Sequence, residues 1–90
     1  MTRKQKLYLL WTDPAGELPD GFDFHGDAHP LAEGMWLVRT ELRRSRIYHQ
    51  IKWQLEEGAP LLVAPMIDNA HGWPKFKGMA AGALAWLRAA

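Results

Sequence analysis

Ninety residues with 48% hydrophobic and 23% charged side chains and five tryptophans make one domain, 1–90, of the globular class and not the disordered one. The absence of cysteine excludes disulfides, thiolate metal sites and thiol chemistry, and a formal net charge of +1 argues against strong nonspecific DNA binding. So short a chain buries only about 60–65% of its unfolded surface, which leaves a marginal core that a homodimer would supplement.

The start, Met1-Thr2-Arg3-Lys4-Gln5-Lys6, is basic, but the apolar run behind it spans only 7–12, too short for export or for crossing a membrane. A cytoplasmic protein with no membrane segment is therefore expected. Residues 7–12, Leu-Tyr-Leu-Leu-Trp-Thr, read as a buried central strand stopped by Asp13-Pro14. The stretch 13–21 carries Pro14, Gly16, Pro19 and Gly21, a density of breakers that leaves only loop. Residues 22–25 alternate apolar and polar and predict a short edge strand, with 26–33 turning the chain back.

Residues 34–40 form a second strand rich in apolar, aromatic and β-branched side chains. From 43 to 57, Ile47, Tyr48, Ile51 and Leu55 recur at helical spacing, and Gly58 follows as a terminating cap. Residues 61–66 are a continuous apolar strand whose Pro65 belongs at a sheet edge. A last helix is predicted over 74–88, with Phe76, Met79, Ala80, Ala83, Leu84 and Leu87 on one stripe. This order predicts an α+β domain containing a split βαβ unit.

The charges are segregated. Asp13, Glu17, Asp20, Asp23, Asp27 and Glu33 fall in a stretch with no Lys or Arg, an acidic loop beside a basic body. Arg39, Arg43, Arg44 and Arg46 cluster where a strand enters a helix, where positive charge opposes the macrodipole and does nothing for that helix. With the free N–H groups of the first turn they suit phosphate or a partner's carboxylates; internal pairing with Glu41 or the acidic loop accounts for them equally. His25, Asp27 and His29 offer two imidazoles and a carboxylate to a transition metal, although their spacing matches no standard site and turns commonly have this composition. Asp13, at a strand end, is either a ligand for a hard divalent cation or the start of an Asp-Pro turn. Most of the tryptophans belong to the core or to dimer contacts. Trp53, off the Ile47, Ile51 and Leu55 stripe, is the one expected on the surface, and His49 is expected to face solvent.

The strand 7–13, the segment Trp36-Leu37-Val38-Arg39-Thr40 followed by a helix, the strand 61–66 and the closing Trp86-Leu87 together resemble the SinR-like proteins. Those are similar in turn to the CRISPR-associated endoribonuclease-fold and VapD-type toxin families. The resemblance implies a ferredoxin-like antiparallel sheet of three or four strands with two helices on one face, frequently dimeric. It also implies that Asp13 binds a metal, Mg or Mn, at the dimer centre. The family's first helix should follow Asp13, where this chain has only a Pro/Gly-rich acidic loop, and the closing helix 74–88 is expected to cover the face that helix would occupy. Two functions follow as expectations. One is a nucleic-acid-associated protein that holds RNA or DNA phosphates through Arg39, Arg43, Arg44 and Arg46, with Asp13 as a vestigial metal-dependent ribonuclease residue. The other is a non-enzymatic regulator or inhibitor, of the kind a mobile element encodes, that binds a protein partner through a sheet edge, the acidic loop or surface aromatics.

Overall fold

The computed structural model describes residues 4–13 and 18–89. Pro14, Gly16 and Glu17 of the predicted loop, and the first three residues, lie outside that set. Four strands, β1 (Lys6–Thr12), β2 (Asp27–Ala32), β3 (Met35–Thr40) and β4 (Leu61–Met66), form one sheet in the order β2-β3-β1-β4. Helix α1 (Arg44–Lys52) lies between β3 and β4 in sequence, and α2 (Ala83–Arg88) follows β4. Every neighbouring pair is antiparallel. β3 and β4 therefore run parallel with β1 between them, joined through α1, which is the split βαβ unit. The α+β architecture and strand order are compatible with a ferredoxin-like fold.

β1 is central, as its unbroken apolar run requires, and β4 is an edge, which tolerates Pro65 opposite Tyr8. The other edge differs from expectation. Residues 22–25 are not a strand, and β2 instead occupies 27–32, where a turn is predicted. β2 has few strand-forming side chains and buries only Leu31, so pairing to β3 makes it a strand and its own propensity does not. Gly26 permits the close approach that begins this pairing, because a Cβ there would collide with the Arg39 carbonyl.

The helices lie on opposite faces of the sheet and not on one. Directly paired strand residues share a face, and successive residues alternate. Leu7, Leu31 and Leu37 pack with Ala83 and Leu87 of α2 on one side, while Tyr8, Leu10 and Val38 pack with Ile47 and Ile51 of α1 on the other. The closing helix thus does not cover the face on which α1 lies, contrary to expectation. Phe22 and Phe24 lie on that face: they join the α1 cluster together with Trp36, with the Phe24 and Trp36 ring centroids 5.5 Å apart. Gln54 pins this segment to the end of α1, accepting from the Asp23 N–H at 2.7 Å and donating to the Asp23 carbonyl at 2.7 Å.

Both helices are shorter than their periodicity predicts. α2 begins only at Ala83 because Gly78 (φ 74°) and Gly82 (φ 87°) take left-handed conformations that interrupt a helix, and the Ala80 N–H bonds the Leu31 carbonyl instead. α1 ends at Lys52, and residues 54 and 55 tighten to three-residue hydrogen bonds onto Ile51 and Lys52. Gln54→Ala should lower stability by about 1 kcal/mol, with a thermal midpoint about 4–8 °C lower for a domain of this size. Hydrogen exchange at the Asp23 amide checks the cause, since it should accelerate more than exchange in β1.

Candidate nucleic-acid interface on helix α1

The four arginines expected to act together are divided by the fold. Arg39, on β3, points to the α2 side and is only 4% exposed. Its Nε donates to Asp68 Oδ2 at 2.8 Å and its Nη2 to Asp68 Oδ1 at 2.9 Å. The same guanidinium donates to the carbonyls of Trp86 (3.1 Å) and Leu87 (2.8 Å) at the end of α2, and lies 4.5 Å from the centre of the Trp86 ring. Four of its five N–H donors are engaged and the side chain is almost inaccessible to solvent, so Arg39 is an internal structural residue and not part of a nucleic-acid site. Trp73 Nε1 donates to Asp68 Oδ1 at 2.8 Å and Trp86 Nε1 to Asp27 Oδ2 at 3.0 Å, which completes the network.

Arg43, Arg44 and Arg46 behave differently. All three are exposed at the start of α1, and none pairs with a carboxylate among the described residues. α1 has no side-chain cap at Arg43 and no acidic residue in its first turn, so its first N–H groups keep their unmet partial positive charge. Lys6, Tyr8, Arg43, Arg44, Ser45 and Pro65 line a shallow depression there. The Tyr8 hydroxyl in it donates to the Leu42 carbonyl at 2.8 Å. Burial raises the pKa of this phenol above the usual value, and the Arg44 charge works in the opposite direction.

The exposed side of α1 continues this positive surface. From 42 to 55 the chain contains no Asp or Glu. Lys52 extends over the Tyr48 ring, 5.8 Å from its centre. His49 is exposed and stacks on Trp53, with centroids 5.7 Å apart and planes at 26°. Trp53 itself is 70% exposed, as the sequence predicts. Lys52 was not among the residues the sequence singles out. Its position one turn beyond Tyr48, clear of the Ile47 and Ile51 stripe, was the signal that could have found it.

The metal candidates do not converge. Among the described residues no group of three or more His, Asp or Glu side chains is arranged to hold a metal ion. Asp27 and His29 face the α2 side of β2, where Asp27 accepts from Trp86, and His29 stacks on Trp86 and approaches the Ala81 carbonyl at 3.2 Å. His25 sits in a turn at φ 60°, held by its N–H on Asp23 Oδ1, and its carbonyl accepts from Thr40. Asp13 follows β1 directly and lines a cleft with Thr12, Gln54, Glu56, Glu57 and Pro60. A divalent Mg or Mn ion needs several oxygen ligands in a near-octahedral set, and the described residues around Asp13 do not supply one.

No protein-family model matches the chain, and no solved structure matches it. A curated relative, xylosyltransferase oxt of Drosophila pseudoobscura pseudoobscura, is 29% identical over 85 residues. The match covers 73% of this chain and 10% of the relative, so the chain corresponds to a small part of that protein. Among the described residues no helix is long and apolar enough to cross a membrane.

The Arg39 network has a pH signature. Hydrogen bonds from Arg39, and then from Trp73, hold the Asp68 pKa below the usual carboxylate value against the opposing effect of burial. A carboxyl whose folded pKa is depressed contributes stability that is complete above the unfolded pKa, about 3.9, and is lost as pH falls toward the folded value. Asp68→Asn should lower the thermal midpoint at neutral pH and flatten its decline below about pH 4. Asp68→Ala, which leaves the Arg39 charge with carbonyl partners alone, should cost about 2–3 kcal/mol in a urea titration.

Proposed function

We propose that this chain binds nucleic acid, RNA or DNA, through the outer face of α1, with Arg43, Arg44, Arg46 and Lys52 as its phosphate contacts. The observation that carries the reading is the exposure of these four cations, none paired with a carboxylate among the described residues, along a stretch free of acidic residues. Arginine in that setting stabilises neither the helix nor an internal ion pair, whereas phosphate oxygens match both its donors and the uncapped N–H groups beside it. The acidic residues of the 13–33 stretch lend direction to such binding, since they repel phosphate from the rest of the surface. An intracellular setting belongs to the same proposal, as does the SinR-like resemblance. The name of the xylosyltransferase adds no argument for sugar transfer here, because the match covers 10% of that protein.

The proposal is of phosphate binding, which the exposed cations of α1 support directly, and cleavage at Asp13 is a separate question for the nuclease assay below. A protein-interaction module is the second reading. Leu62 and Ile67, 51% and 70% exposed at and just after the edge strand β4, favour it, since a second copy of the chain or another protein could add there.

Fluorescence anisotropy with a short labelled oligonucleotide tests the phosphate contacts. Four cations predict a slope of log affinity on log salt of about −3, and Arg43→Ala/Arg44→Ala should halve it. A parent protein whose binding is indifferent to salt would sink the reading. RNA incubated with Mg or Mn should give the same products with the parent protein and with Asp13→Ala. Cleavage lost only in the variant would restore Asp13 as a metal ligand.

A further inference from the structure

The phosphate contacts leave the aromatic part of α1's outer face without a role. Helix residues three and four apart are neighbours, so Arg46, His49 and Trp53 form one ridge that ends at the helix C-terminus. Trp53 presents most of its indole to solvent, and the His49 ring stacks on part of it. Beside the indole opens a recess of about 470 Å³, lined by Tyr48, Lys52, Trp53, Leu55, Glu56 and Glu57. Cations therefore stand toward the start of the ridge and at Lys52, while Glu56 and Glu57 bring negative charge to the lining of the recess. A phosphodiester entering that recess would meet like charge. An uncharged, planar nucleobase would not, and it would find an aromatic surface to stack on.

A base inside a duplex has both faces covered by its neighbours, so only an unpaired base can lie flat on Trp53. We infer that the outer face of α1 selects single-stranded nucleic acid, with the backbone along Arg43, Arg44, Arg46 and Lys52 and an unpaired base stacked on Trp53 in the recess. The inference rests on the phosphate reading above but is separable from it, because Trp53 carries no charge. Such stacking is indifferent to base identity, since every base has a π-face.

The experiment compares four probes of one length by anisotropy: single-stranded DNA, single-stranded RNA, a DNA duplex and an abasic strand. The parent protein should bind at least one of the base-bearing single strands about tenfold more tightly than the duplex or the abasic strand. Trp53→Ala should weaken that binding by about 5- to 150-fold, leave the abasic strand unaffected and keep the salt slope, whereas Trp53→Phe should retain part of the affinity. Because Trp53 lies on the surface, an unchanged thermal midpoint certifies that the variants are folded. Equal binding of all four probes, or a Trp53→Ala variant that binds as the parent does, would overturn the stacking inference and leave the phosphate reading intact. No binding of any probe would overturn both.

Discussion

Arg39 projects from β3 into the α2 side of the sheet with almost no access to water. A buried guanidinium without partners costs several kcal/mol, so whatever covers that face must bring acceptors with it. The chain does so twice. The segment after β4 supplies the Asp68 carboxylate in a two-pronged pair, and α2 supplies its last carbonyls, where a positive charge also complements the helix dipole. A six-residue helix does not hold together by itself in water. Its position depends on this charge and on Ala83 and Leu87 reaching the core. Trp86 then lies against the guanidinium and Trp73 bonds the Asp68 carboxylate, each fixed by an N–H bonded to a carboxylate.

This constraint also explains why the sheet is covered on both faces. β1 is an unbroken apolar run, so its residues demand burial on the Leu7 side and on the Tyr8 side alike. The strands β1, β3 and β4, the central place of β1 and the edge place of β4 were legible in that apolar patterning. Two-sided cover was legible there as well, but the resemblance to a fold with both helices on one face pointed elsewhere. The identity of each cover was hidden. Periodicity continues through Gly78 and Gly82, so the last helix looks about four turns long until their left-handed conformations cut it to six residues. β2 was hidden for a different reason: its strand character comes from β3 and its hydrogen bonds, and the sequence Asp-Ala-His-Pro-Leu-Ala contains little of it.

The candidate site was legible in kind and not in membership. Strand alternation sends Arg39 to the opposite face from Val38 and Thr40, and hence away from α1, although it lies only four residues from Arg43. Proximity in sequence grouped what the pleat separates. The segment 22–24 docks on the flank and the end of α1 through Phe22, Phe24 and the Gln54 clamp, leaving the helix's outer face uncovered. The carboxylate of Asp23 in that segment bonds its own turn at the His25 N–H, so this acidic residue stays local while the arginines remain outside.

The aromatic residues follow the same division, and it bears on where function resides. Trp36 packs with Phe24 in the α1 cluster, Trp73 and Trp86 serve the Arg39 network, and Trp11 is half-buried within β1. Trp36, Trp73 and Trp86 each have a structural reason for their place. Trp53 has none, for its indole joins neither core cluster, and burying so large an apolar group would have stabilised a domain with little core to spare. An indole left in water contributes no burial energy to the fold, and Lys52 lies beside it in the same recess. That position is what the proposed stacking of an unpaired base would use, since a base brings a flat apolar face and its backbone brings negative charge.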